Sequence, residues 1–150
     1  MFARTAPVLA LALLAACGGG DDTPPEQVAF QPLQEELTRS FPAGTYVFRS
    51  QGEMSAAWNA APQEFGESKA MPSIDFSQIM VVGISLGVGI RCNVPTIASV
   101  ARVPSGYQVS YRSNDGTGVT TLACLHQWRL SDFVAVPVQP GEVEFVRLAG

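Results

Sequence analysis

Residues 79–86, Ile-Met-Val-Val-Gly-Ile-Ser-Leu, are apolar at both odd and even positions. Successive side chains of a strand point to opposite faces, so a strand apolar at both parities must be covered on both sides. The chain therefore needs a central strand with a packed layer on each face. The apolar run reaches Ile90, 12 residues with three glycines, short of the roughly 20 residues a membrane-spanning helix needs.

Other stretches supply partners for that strand. Residues 45–49 (Thr-Tyr-Val-Phe-Arg) are strand-type. Residues 96–103 and 107–112 flank Pro104-Ser105-Gly106, which predicts a hairpin. In its second arm Tyr107, Val109 and Tyr111 alternate with polar residues, as in a half-buried strand. Residues 119–125, 133–138 and 143–148 read as further strands, the last two joined through Pro140-Gly141, and Asn114-Asp115-Gly116 is turn chemistry. Residues 28–30 read as a short strand and 34–40 as a helical turn or loop. The clearest helix follows Ser50-Gln51-Gly52-Glu53, a capping-box pattern. Met54, Trp58 and Ala61 then share one face, and Pro62 ends the helix. Residues 62–73 read as a loop. The predicted class is β-dominated α+β: an antiparallel sheet or sandwich-like domain with one short helix early in the chain and one disulfide.

The N-terminus is read as an address. Arg4 precedes an apolar run over residues 6–16, and small residues lead into Cys17. A basic start, a short apolar core and a small-residue cleavage site make a targeting signal. Leu14-Ala15-Ala16-Cys17 resembles the lipobox of bacterial lipoproteins. The resemblance implies cleavage before Cys17, lipidation of its sulfur and acylation of its new amine; several acyl chains give stable anchoring where one does not. An ordinary signal-peptidase site is the competing reading. Gly18 stands where an aspartate would resemble an inner-membrane retention signal, so the expected place is the outer membrane, facing the periplasm or the cell surface. Residues 18–27 are rich in Gly, Asp and Pro and read as a flexible tether after the lipidated Cys17. Ten residues of such coil span roughly 16–19 Å r.m.s.. The domain organisation is then signal peptide 1–16, lipidated cysteine and linker 17–27, and one globular domain 28–150.

Cleavage would leave 134 residues, enough for one domain with a real core. It would remove Arg4 alone among charged residues, leaving eight basic against thirteen acidic side chains, or −5. An acidic chain without a basic cluster is a poor partner for nucleic acid. With Cys17 assigned to lipid, Cys92 and Cys124 remain. An even pair in an oxidising compartment predicts a disulfide. It would close a loop of about 33 residues, for which the chain-entropy model gives roughly 3–4 kcal/mol. No CxxC or zinc-type spacing is present.

Chemistry-bearing motifs are few. Gly83-Ile84-Ser85-Leu86-Gly87 is a formal G-x-S-x-G, with Asp115 and His126 following in hydrolase order. The nucleophile elbow needs a helix after the serine, and residues 88–95 are poor helix formers. Gly87-Val88-Gly89 lacks a third glycine and a following helix, and reads as a strand end, bulge or tight bend. His126, the sole histidine, is read as an ordinary surface or partly buried residue. Asp75 lacks a second carboxylate nearby in sequence and is assigned a turn or cap role. Glu35, Glu36, Glu142 and Glu144 read as solvated charges. Tyr107, Tyr111 and Trp128 fit an aromatic binding surface or core packing equally well.

Taken in order, Tyr46-Val47-Phe48, the Trp58 helix, Met71-Pro72-Ser73-Ile74-Asp75-Phe76-Ser77 leading to Val81-Val82, then Leu86-Gly87, the hairpin, Phe133-Val134-Ala135-Val136-Pro137 and Val143-Glu144-Phe145 resemble the C-terminal domain of the bacterial protease-complex subunit family PrcB. The resemblance covers roughly residues 45–148 and implies a noncatalytic lipoprotein domain with an accessory or assembly role. The chain departs from the family between Leu86 and Pro95, where Cys92-Asn93-Val94 replaces a glycine turn. That departure reads as a disulfide variant with Cys124. The functional expectation is a noncatalytic, membrane-tethered domain with an accessory or protein-interaction role, assisting an extracytoplasmic protease or envelope complex, without a cofactor. The alternatives are a lipoprotein that binds a small molecule or lipid between the sheet and the Trp58 helix, and a serine hydrolase using Ser85.

Overall fold

The doubly apolar stretch is strand β4 (Ile79–Ile90). In the computed structural model, which describes residues 24–62, 69–90, 94–113 and 127–149, the remaining elements are β1 (Glu26–Val28), β2 (Gln31–Pro32), β3 (Gly44–Phe48), α1 (Gln51–Ala60), β5 (Thr96–Val103), β6 (Gly106–Arg112), β7 (Gln127–Pro137) and β8 (Glu142–Arg147). They form two four-stranded sheets, ordered β1-β5-β6-β8 and β2-β7-β4-β3. Cys17, Cys92, Cys124, Asp115, His126 and the strand expected at 119–125 lie outside the described residues.

Both faces of β4 are covered from Met80 to Ser85, as its sequence predicts, whereas Leu86 and Val88 farther along the strand are 37 % and 42 % exposed. Met80, Val82 and Ile84 join Val134 and Val136 of β7 and meet Ile97, Val100, Tyr107 and Val109 of the other sheet in an inter-sheet core. On the opposite face Val81, Phe133, Ala135 and Phe48 meet Met54 and Trp58 of the helix and Ala61 at its C-cap, together with Leu33, Leu37 and Phe41. The molecule is thus three layers: sheet, sheet, and a cover made of α1 and the 33–41 segment. Among the described residues no helix is long and apolar enough to cross a membrane.

The helix forms where local chemistry places it. Ser50 is the N-cap, and its Oγ accepts the Glu53 N–H at 3.2 Å. The Glu53 carboxylate reaches back past the cap to the Arg49 N–H at 2.6 Å, tying the chain that enters the helix to its first turn. Met54 and Trp58 are buried on the inner face. The Arg39 guanidinium lies 5.2 Å from the Trp58 ring centroid and donates to the Ala61 carbonyl at 3.2 Å. A cation there suits both the aromatic face and the negative end of the helix.

In the first sheet β6 and β8 run parallel, from Gly106↔Glu142 to Tyr111↔Arg147. This corrects the all-antiparallel expectation. The connection through Pro140-Gly141 is short, but it leads from β7 in one sheet to β8 in the other. Short loops force antiparallel neighbours only within one sheet. The N-terminal strand is also divided. β1 pairs with β5, Ala29 and Phe30 cross between the layers, and β2 pairs with β7 at Ala135 and Val134. Pairing starts at Glu26, inside the stretch read as tether, where Glu26 lies opposite Arg102 and forms an exposed 3.2 Å ion pair with it.

Candidate functional site

Ser85 is the residue on which a hydrolase reading depends. It sits within β4, which continues to Ile90, so the strand–turn–helix of a nucleophile elbow is not formed. Its side chain is 2 % exposed. Its Oγ donates to the Phe41 carbonyl at 2.7 Å and accepts the Gly87 N–H at 3.0 Å. Both bonds serve the fold. The first holds the cover segment to β4, and the second stabilises a bulge, where the β4–β7 register shifts between Ser85 and Val88. Gly87 turns that bulge at φ +81°, a backbone conformation open to glycine and costly for most other residues. Of the strand end, bulge or tight bend read from Gly87-Val88-Gly89, the structure shows the bulge.

The buried carboxyl of the described residues is Asp132 on β7, 4 % exposed. Its two oxygens take separate donors: Gln34 Nε2 at 2.9 Å and the Ile97 N–H at 2.7 Å. Ile97 opens an irregularity in the β5–β6 ladder, which shifts register between Ile97 and Ser99. Asp132 thus ties one sheet to a bulged strand of the other and to the cover segment. Sequence reasoning missed it. The available signal was a carboxylate interrupting the apolar alternation of Leu130, Val134 and Val136; nothing local names its partners.

Asp75 takes the turn role expected of it. Its Oδ1 accepts the Ser77 N–H at 3.0 Å and the Ser77 hydroxyl at 2.6 Å. The Ser77 hydroxyl bond, then the backbone bond, hold its carboxyl below the ordinary aspartate range. Its carbonyl accepts from Gln78 and Ile79, which starts β4. Gln51 on the helix receives this segment: its Nε2 donates to the Pro72 carbonyl at 3.3 Å and its Oε1 accepts the Ile74 N–H at 3.5 Å. The Pro72–Ser77 signature is thus a turn bolted to the N-terminus of α1.

Tyr107 lies in the core, 1 % exposed, with its hydroxyl donating to the Pro137 carbonyl at 3.0 Å. Tyr111 packs partly buried against the same cluster. These two tyrosines therefore serve packing; the Trp128 side chain lies outside the described set. Glu35, Glu36, Glu142 and Glu144 are exposed, as expected. Among the described residues no three His, Cys, Asp or Glu side chains are grouped to hold a metal ion.

The space proposed for a ligand, between the sheet and Trp58, holds rings. Phe41 packs on Phe133, Tyr46 and Trp58 with centroids 4.8, 5.4 and 6.4 Å apart. An open groove of about 360 Å³ lies elsewhere, where the chain crosses between β1 and β2, with Phe30, Ile79, Val136 and Pro137 in its walls. The described surface thus offers a shallow apolar groove and sheet edges; of the buried polar side chains, Ser85 and Asp132 are bonded to the scaffold, while the Ser40 Oγ has no hydrogen-bond partner among the described residues. Comparison of the chain with protein-family models, curated proteins and solved structures finds no significant match.

Proposed function

We infer that the chain is a noncatalytic, membrane-tethered lipoprotein domain that binds a protein partner in the bacterial cell envelope. The observation that carries this reading is the use made of its chemistry-bearing side chains. Ser85, Asp132 and Asp75 each hold a turn, a bulge or a layer contact in place. What such a rigid sandwich offers is surface. The Cys17 motif and the polar stretch after it supply anchor and reach, which raises the local concentration of the domain near other envelope proteins. The PrcB resemblance agrees in kind, pointing to an accessory of an extracytoplasmic protease or a related assembly.

Affinity purification of the intact chain from its own membranes tests this reading. A reproducible, stoichiometric protein partner is expected, and Cys17→Ser should release the chain from the membrane fraction. Recovery of the chain without any protein, carrying a small molecule or lipid, would instead favour the ligand-binding reading. The groove beside Phe30 and Pro137 is the observation in that reading's favour.

A further inference from the structure

We propose that the outer edge of β8 is the docking surface, and that it takes an extended, basic segment of a partner protein as an added strand. The inference rests on the protein-binding reading above. The described residues leave four edge strands: β1 and β8 in one sheet, β2 and β3 in the other. β1 is three residues long and β2 two, ending in Pro32; such short or proline-bearing edges resist pairing. β3 is five residues long, and Arg49 alone separates it from the Ser50 cap of α1. β8 is six residues, Glu-Val-Glu-Phe-Val-Arg, with no proline or lysine.

The hydrogen-bond pattern shows which groups face outward. The Glu142 N–H donates to the Ser105 carbonyl and the Leu148 N–H to the Tyr111 carbonyl, both at 2.8 Å. Amides alternate sides along a strand, so those of Glu144 and Val146 also point to β6, and those of Val143 and Phe145 point away from it. Among the described residues no strand lies on that side. The Val143 and Phe145 side chains pack against the inter-sheet core, which holds the edge in a fixed extended form. An added strand therefore meets a template that is already ordered, and its backbone bonds supply affinity.

Charge selects the occupant. Glu142 and Glu144 are exposed and share one face of β8. Glu144 accepts one bond, from Gln108 Nε2 at 3.2 Å, and retains further acceptor capacity. A strand laid against β8 places its own alternate residues beside these carboxylates, where opposite charges stabilise and like charges repel. A second copy paired antiparallel about Glu144 would set identical carboxylates face to face. A segment with lysine or arginine at every second position fits instead.

The test titrates the full chain in detergent with two end-capped synthetic hexapeptides, one alternating lysine with valine, the other glutamate with valine. Backbone amide exchange is followed by NMR. The lysine peptide is expected to slow exchange at Val143 and Phe145 while leaving the already bonded Glu144 and Val146 unchanged. The double variant Glu142→Lys/Glu144→Lys keeps its melting temperature and weakens the lysine peptide by roughly threefold to tenfold, with preference passing to the glutamate peptide. Binding that ignores the charge reversal, or protection away from β8, overturns the proposal. Concentration-dependent protection of Val143 and Phe145 without peptide identifies a second copy and overturns it too. If β8 stays unprotected while a stoichiometric partner is still captured from membranes, the edge assignment fails and the protein-binding reading stands. If neither binding is seen, both fail.

Discussion

The two faces of β4 are packed by different means. Toward the first sheet the contacts are mainly aliphatic, Met80, Val82 and Ile84 with Val134, Val136, Val100 and Val109, and Tyr107 is the ring buried among them. Toward the helix they are aromatic, with Phe41, Phe48, Phe133 and Trp58 around a small strand surface. Gly83 lies between Tyr46 on β3 and Phe133 on β7 in one cross-strand row, and their ring centroids are 5.7 Å apart across it. A Cβ at Gly83 would collide with the Phe133 ring. Sheet-on-sheet packing is a broad, repetitive surface in which neighbouring methyls share the load. The helix side concentrates its contacts on a few large rings, each with its own seat. The lesson is that one strand can be redundant on one face and brittle on the other.

The largest effects should follow the rings. Trp58→Ala or Phe133→Ala should cost about 3–5 kcal/mol in chemical denaturation, and Ile84→Ala on the other face should fall at the low end of about 2–5. Equal losses on the two faces would break the comparison. Gly83→Ala comes next. It adds one methyl and should still cost about 1–3 kcal/mol, since the Phe133 ring must leave its seat; Phe133→Leu should lessen that cost in the double variant. Ser50→Ala removes the cap of the helix that carries Trp58 and should cost about 1 kcal/mol.

The smallest effect concerns Asp75, which is exposed and governs the turn into β4. Ser77 holds its carboxyl pKa below the unfolded value. The bonds therefore stabilise the fold above the unfolded pKa, and this contribution is lost as pH falls through the lowered folded value. NMR titration should find Asp75 titrating below ordinary aspartates, and Ser77→Ala should move it upward. An unchanged titration in that variant would remove Ser77 as the cause.

What the sequence made legible was local. The helix could be read because its cap, its buried stripe and its stop lie within residues 50–62. The position of β4 could be read because a short run of apolar residues at both parities, rich in Val and Ile, suits a strand covered on both faces. The Asp75 turn role and the Gly87 bulge are likewise matters of a few adjacent residues. Non-local choices were not legible. Nothing in residues 142–147 says that β8 pairs parallel with β6, because that depends on β7 crossing between layers. The Asp132 bonds join positions 35 and 98 apart in sequence. Tyr107 alternates with polar neighbours just as a surface tyrosine would, and only the layer opposite it decides that it is buried. The site reading suffered most from this at Asp132; for Ser85 the poor helix formers after it already speak against a nucleophile elbow, and what the sequence hides is the Phe41 carbonyl that takes its hydroxyl.

The account's central claim is that the two-faced core is scaffold and the surface does the work. Residue-resolved hydrogen exchange on the full chain, alone and with its co-purified partner, tests it most directly. Protection should rise at Val143 and Phe145, with β4, β7 and the Trp58 helix unchanged. Protection changing instead in the Phe41–Phe133–Trp58 layer would contradict the account and make the aromatic core the binding element.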